Sequence, residues 1–504
     1  MKNTVILTMI AGIMVSCTGS SYKNAEKTAQ AAPIYPDYAG TVVPVNIAPM
    51  NFDIMDDVQA SVVEISGKSG NLVFKGPKIR IPMKKWKNML MENAGGDLNV
   101  RIFLKNDGKW SECEPFSISV AEEEIDGYLT YRLIEPGYSS YGFITLRQRN
   151  ITSFDEVDLF NNNLVKGRME GQCLNCHSFQ NYRTDNFQFH ARHTEGGTLV
   201  FNGKNGKRLD FKTGDLLSGA VYPTWHPQQN LIAYSVNSTL QLFYSHGNQK
   251  TEVYDGASDL VLYDVETDDV SYIVHDSLSM ETFPYWAADG KTLYYASAHL
   301  PDFGADASTE IKNMTEKVRY NIWSIDFDPA TREFGSPKLL FDAVSDSLSA
   351  VTPRPSPDGK YLLSGVGDHG SFHIWNESSD IYITDLQSGE TRPFDEINSD
   401  RADSFKSWSS NSRWIAFTSR REDSNYSRVY IAYFDKDGKG HKPFLLPQKD
   451  PQQNKRLFKS YNVPEFTIEK VKWTPKQIEK VVLSEPVNTH QIAPRYKAGH
   501  GLDQ

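Results

Sequence analysis

Four cysteines in 504 residues are too few for a disulfide scaffold. Clustered Lys and Arg are absent as well, and the net charge is -10, so a phosphate-tracking surface for nucleic acid is excluded. The chain carries no G-x-S-x-G elbow, no H-E-x-x-H and no phosphate loop, which removes the commonest hydrolase and nucleotide signatures. Paired acids occur at Asp268-Asp269 and in the run Glu122–Glu124, but as isolated polar clusters they read as solvated turns rather than acid/base pairs. Whether any enzyme chemistry remains is open, and redox work is more in keeping with these absences than hydrolysis. What is present is ample core material, 39% hydrophobic and 12% aromatic, in a length that allows two or three domains.

The longest apolar run lies at the N-terminus. It extends from Val5 to Val15 behind Lys2, too short to span a bilayer as a permanent helix, and reads as an export signal. The phrase Met14-Val15-Ser16-Cys17 resembles the lipobox of bacterial lipoproteins, which would make Cys17 the first mature residue and the lipid carrier, residues 1–17 being signal and lipobox. The other reading is an ordinary cleaved signal. Residues 18–32, polar and without apolar period, read as a flexible tether.

Cys173-Leu174-Asn175-Cys176-His177 has the C-x-x-C-H spacing by which a c-type haem is fastened: two thiols reach the vinyl groups of one porphyrin edge and the adjacent imidazole reaches the iron. Covalent haem attachment happens outside the bacterial cytoplasm, in accord with the export signal. His190 is the favoured second iron ligand, with His193 or Met169 as alternatives, because a loop of about 15 residues can wrap a porphyrin edge. Two rival readings stand beside haem. Cys-x2-Cys-x13-His-x2-His, ending in His190 and His193, is close to zinc-finger spacing, and an exported dithiol can also oxidise to a disulfide.

A repeat fills the second half. Tyr222-Pro-Thr-Trp225, Phe283-Pro-Tyr-Trp286, Thr352-Pro-Arg-Pro355 and Phe405-Lys-Ser-Trp408 each precede a turn of Pro, Asp, Asn or Gly and then an apolar strand. Second strands such as Asp259–Asp264 and Asp380–Asp385 alternate apolar and polar residues. A strand pair recurring every ~50–70 residues without helical period predicts a β-propeller of five to seven blades over 191–485, with Arg192–Phe201 as a degenerate early copy, Val471–Pro475 as a late one, and a tail, 486–504, that caps or closes the ring. Residues 33–150 carry short strands with one helix at Lys84–Asn93 and predict an immunoglobulin-like β-sandwich. The motif would then sit in a junction, 151–190. The fold class expected is all-β.

The repeat's W-S-P-D-G-like turns resemble those of TolB-like and WD40-like (PD40) propellers. The whole mature chain resembles Bacteroidetes lipoproteins of that kind with a cytochrome c motif, through Pro44–Phe52, Tyr131–Tyr138, Cys173–Phe179, Phe189–Arg192 and Tyr461–Phe466. The resemblance implies the same propeller and motif. A lipid-anchored protein of the cell envelope is expected, and because the residues after Cys17 lack the acidic cluster that many Bacteroidetes surface lipoproteins carry, it would sit in the outer membrane facing the periplasm. Two functions follow as expectations: a monohaem electron carrier whose propeller docks a redox partner, or a scaffold binding an envelope protein, with a structural zinc or disulfide loop.

Overall fold

A computed structural model describes residues 21–497, apart from 69, 136–142, 164–172, 193–195, 213, 215, 246, 248–250 and 301–316. Cys17, Met169 and His193 lie outside the described residues. The chain is all-β and propeller-like, a succession of antiparallel sheets.

Six such sheets follow one another from residue 128 onward. The second runs through Leu174–Gln180, Arg183–Ala191, Gly197–Asn202 and Asn205–Asp210. The third contains Ala220–Trp225, Leu231–Phe243, Thr251–Asp264 and Asp269–Val274, and the fourth Ser279–Trp286, Thr292–His299, Asn321–Asp328 and Glu333–Phe341. The fifth begins with Ser349–Pro355 and Tyr361–Gly367, the sixth with Asp403–Trp408 and Trp414–Ser419. The first sheet is different. Its consecutive strands Tyr128–Ile134, Thr145–Asn150 and Glu156–Asn161 are completed by Ser460–Thr467, which pairs antiparallel with Tyr128–Ile134. The leading strands of the second to sixth sheets and Ser460–Thr467 pack on one another in a circle.

The turn residues do what their chemistry allows. In each repeat the residue after the leading strand bonds across to the end of the turn: His226 N to Leu231 O, Ala287 N to Thr292 O, Ser356 N to Tyr361 O and Ser409 N to Trp414 O, at 2.7–2.8 Å. Gly290 and Gly359 sit in these turns at φ of 68° and 71°, where a side chain is strained. Apolar seams join successive sheets. The first seam stacks Phe179, Phe187 and Phe201 and takes Ile478, Val481 and Val482 from the helix Pro475–Val482.

One irregularity recurs in the leading strands. The register shifts between Asn175 and Ser178, Val221 and Thr224, Thr282 and Tyr285, Val351 and Arg354, and Ser404 and Lys406. At the bulge Cys176, Tyr222, Phe283 and Thr352 adopt φ of 48–53°, as does Val463 in the closing strand. Pro follows at 223, 284, 353 and 464, a residue tolerated where a strand has a free edge and a bulge. His177 stands at that place in the second sheet.

Several boundaries differ from those expected. Segment 151–190 is not a junction: it contributes Glu156–Asn161 to the first sheet and two strands to the second. The early repeat copy is Cys173–Gln180, whereas Gly197–Asn202 is a third strand. The late copy is Tyr461–Phe466, and 471–475 leads into the helix Pro475–Val482. The N-terminal unit ends before Tyr128. It comprises a seven-stranded mixed sheet, a three-stranded sheet and the helix Met83–Glu92, whose Trp86, Met89 and Leu90 share one core with Tyr131, Trp414 and Phe466. The acidic run fastens this unit to the sixth sheet rather than facing water: Tyr433 donates to Glu123 at 3.0 Å, and Trp414 Nε1 to the Glu124 carbonyl at 3.1 Å. Asp268, read as a solvated turn acid, accepts from Lys207 and Tyr263 at 2.8 and 2.6 Å.

The tail does not close the ring. Val487–Asn488 and His490–Gln491 add parallel edges to the second and third sheets, and Tyr496 bridges Phe334 of the fourth. Closure therefore rests on Ser460–Thr467. A chain ending at Ser484 should fold with a lowered Tm, losing outer-edge hydrogen bonds of about 1 kcal/mol each; one ending at Arg456 should show no cooperative melt. Calorimetry of both truncations checks this.

Candidate functional site

The six inner strands surround a cavity of about 210 Å³. Its wall takes Cys173, Cys176 and His177 from the second sheet, Tyr222 from the third, Phe283 from the fourth, Arg354 from the fifth, Phe405 from the sixth, and Arg132 and Asn462 from the first. The structure thus brings the three C-x-x-C-H side chains together on one surface. The bulge is what does it: an unbroken strand would turn alternate residues to opposite faces, and the left-handed Cys176 resets that alternation.

Both cysteines are free thiols, Cys173 buried and Cys176 partly so. Burial pushes the Cys176 thiol up, against the lowering effect of a backbone hydrogen bond from Tyr222 and of Arg192 and Arg132. His177 is buried and pushed down to about 3 by desolvation and by Arg132, so the imidazole is neutral. Its Nε2 has no hydrogen-bond partner. Glu465 Oε2 stands 3.7 Å away, but burial pushes that carboxyl up to about 8, which makes this a contact between two neutral groups rather than an ion pair. Phe179 N donates to the other Glu465 oxygen at 2.9 Å.

His190 does not join the site. It lies on Arg183–Ala191 opposite Asn175, with Nδ1 2.8 Å from Thr198 Oγ1 and its ring 5.9 Å from Tyr234, in the seam between the second and third sheets. Burial there pushes it down to about 3. It packs in that seam with its Nε2 unpartnered, and it is not among the described residues that line the cavity. Among the described residues no three His, Cys, Asp or Glu side chains converge as a metal set. The alternatives His193 and Met169 lie outside the described residues.

The sequence reading missed the basic wall. Arg132, Arg192, Arg354 and Arg420 line the cavity, and buried Lys406 donates to Thr352 at 2.8 Å beside it. A signal was present: Arg354 and Lys406 interrupt the repeat at places where the other copies hold Thr224 or Tyr285, and Pro. His369 and His373 are both engaged. His373 is buried against the Gly370 carbonyl at 3.0 Å.

A long hairpin reaches over the cavity. The strands Leu231–Phe243 and Thr251–Asp264 place Thr239, Gln241, Thr251 and Val253 on its wall. Glu252 accepts from Tyr244 at 2.5 Å and from His369 at 3.1 Å, tying this hairpin to the loop after Tyr361–Gly367.

No protein-family model matches the chain. No curated protein matches it either. Among solved structures it is similar to an ACO/RPE65 chimera at 12% identity and TM-score 0.37, covering 85% of this chain and 98% of that one. It is similar to prolyl oligopeptidase B from Galerina marginata at 11% identity and TM-score 0.36, covering 68% of this chain and 42% of that one, so it spans under half of the oligopeptidase. Hydrazine synthase from Kuenenia stuttgartiensis gives 11% identity and TM-score 0.31, covering 52% of this chain and 64% of that one. Likenesses at this level carry no information about chemistry.

The hairpin's tie is sensitive to pH. The hydrogen bond with Glu252 raises His369, and this outweighs its burial. Burial pushes Glu252 up, but hydrogen bonds from His369 and Tyr244 together hold it below its ordinary value. The His369 contribution is therefore complete below its unfolded pKa of about 6.5 and is lost as pH rises through its raised folded value. That of Glu252 is complete above its unfolded pKa of about 4.3 and is lost as pH falls through its lowered folded value. Hydrogen exchange of strand 251–264, corrected for intrinsic rates, should be slowest near pH 5–6 and faster at pH 9. His369→Gln should remove that dependence.

Proposed function

We propose that this chain is a six-bladed propeller with an immunoglobulin-like N-terminal sandwich, held at the outer membrane by lipid on Cys17 and facing the periplasm. In this reading it carries one c-type haem in the central cavity and exchanges electrons with an envelope protein docked on the ring. The observation that supports this reading is the convergence of Cys173, Cys176 and His177 on one cavity wall, with His177 neutral and its Nε2 unpartnered. An orphaned buried ring nitrogen costs stability unless something binds it, and a neutral imidazole is the form that ligates iron.

When bound, haem supplies one-electron exchange. The chain's own residues do the rest. Cys173 and Cys176 would hold the haem, offering sulfur for covalent attachment. His177 is held between the paired residues Asn175 and Ser178 and by its edge contact with the Phe179 ring. Tyr222, Phe283, Phe372, Trp375 and Phe405 give the cavity an aromatic lining that matches a flat ring. Among its described lining residues no second His or Met is present, so none of these supplies a second imidazole or thioether ligand.

Expression of the chain in a host that matures c-type cytochromes tests the reading. The wild type should keep haem on a denaturing gel, and Cys173→Ala with Cys176→Ala should lose it. His190→Ala should keep both haem and spectrum while lowering stability by about 1–2 kcal/mol through the lost hydrogen bond and packing. A colourless wild type would overturn the proposal in favour of a scaffold lipoprotein.

A further inference from the structure

Three guanidiniums face the cavity with no described carboxylate at ion-pair distance, although Arg354 lies within the field of Glu465 and Arg420 within that of Asp423. Arg420 is 3% exposed, its Nη1 donates to the Ser424 carbonyl at 3.2 Å, and its Nε and Nη2 have no partner. Its guanidinium lies 3.4 Å from the centre of the Trp375 ring. Arg132 is 9% exposed, with Nη1 on the Leu174 carbonyl at 3.0 Å and Nε unpartnered. Arg354 donates to the Pro353 carbonyl at 2.7 Å and lies 4.3 Å over the Tyr285 ring. Arg192 adds a fourth positive charge on the wall. None of the four forms an ion pair with a described carboxylate, although the chain makes such pairs freely elsewhere. Glu135 is the one carboxylate among the described lining residues, and it interacts with Lys459.

Backbone carbonyls orient these guanidiniums but do not neutralise them. Burying positive charge without a counter-ion is destabilising, and a fold tolerates it where a ligand completes the pairing. The forked geometry of Arg matches a carboxylate, and the aromatic side chains Phe283, Phe372, Trp375 and Phe405 on the same wall match a flat apolar body.

We propose that the central cavity is a binding site for a planar apolar molecule bearing two or more carboxylates, with Arg132, Arg354 and Arg420 as the groups that pair with them. That chemistry has two sources. One is the set of carboxylates on the porphyrin of the preceding section, and in that case alone the inference rests on the haem reading. The other is a free aromatic polycarboxylate.

The probe is benzene-1,3,5-tricarboxylate, with its neutral triamide as control, titrated calorimetrically into the mature chain made without and with haem maturation. The unloaded wild type should bind the tricarboxylate and not the triamide. Arg420→Met and Arg132→Met should each weaken binding at least tenfold. Unloaded Arg420→Met should melt no lower than wild type, whereas a merely structural arginine would lower the Tm. Loss of tricarboxylate binding in the haem-loaded chain identifies the porphyrin's carboxylates as the occupant, and retained binding identifies a free ligand. No binding to the unloaded wild type, or unchanged binding in both variants, overturns the proposal. The two readings fail separately: a colourless chain that binds the tricarboxylate removes haem and keeps this site, and a haem-bearing chain that ignores it when unloaded does the reverse.

Discussion

Everything at the cavity depends on one long-range pairing, Ser460–Thr467 against Tyr128–Ile134. It supplies the first sheet with its innermost strand and joins the start of the ring to its end. Without it both the first and the sixth sheets would present open flanks, and Arg132, Asn462 and Glu465 would not face His177. Tying chain segments so distant costs little extra, because loop-closure entropy grows only logarithmically, by about 0.6 kcal/mol per doubling of length. The gain is the burial of Tyr131, Tyr461 and Phe466 together with the removal of a free sheet edge.

The second constraint is the bulge near the middle of each inner strand. A left-handed non-glycine residue is strained, and the strain recurs at Cys176, Tyr222, Phe283, Thr352 and Val463 because it turns a side chain toward the axis. In the second sheet the residues at that place are Cys and His instead of an aromatic and Pro. The chemistry of the C-x-x-C-H stretch is thus laid over a structural repeat, and it inherits the repeat's geometry. That inheritance gives His177 a buried, neutral, unpartnered nitrogen without any helical domain to hold it.

The all-β class and the repeated strand pairs were legible because their signals are local: Pro, Asp, Asn and Gly turns, and period-two alternation at phrases such as Asp380–Asp385. Non-local features were not. Tyr128–Ile134 and Thr145–Asn150 read as part of the N-terminal unit because the strand that claims them lies more than 300 residues away. Cys173–Gln180 hid as a repeat copy because its aromatic and its Pro are replaced. His190 looked available to iron because sequence distance cannot show that its side chain points into a seam toward Tyr234. Arg354 stood out only as a break in the repeat, and Arg132 and Arg420 not at all, since nothing in their separate neighbourhoods reveals the cavity they share with it. Glu123 and Glu124 read as solvated because docking to Trp414 and Tyr433 is tertiary.

The central claim is that the C-x-x-C-H stretch is the inner strand of a ring and faces its axis. A crystal structure of the chain purified from a haem-attaching host tests it most directly. The account predicts porphyrin density in the central cavity, joined to Cys173 and Cys176, with Leu174–Gln180 still paired to Arg183–Ala191. Porphyrin on the outer surface, or a cavity without it and Cys176 turned away from the axis, would contradict it.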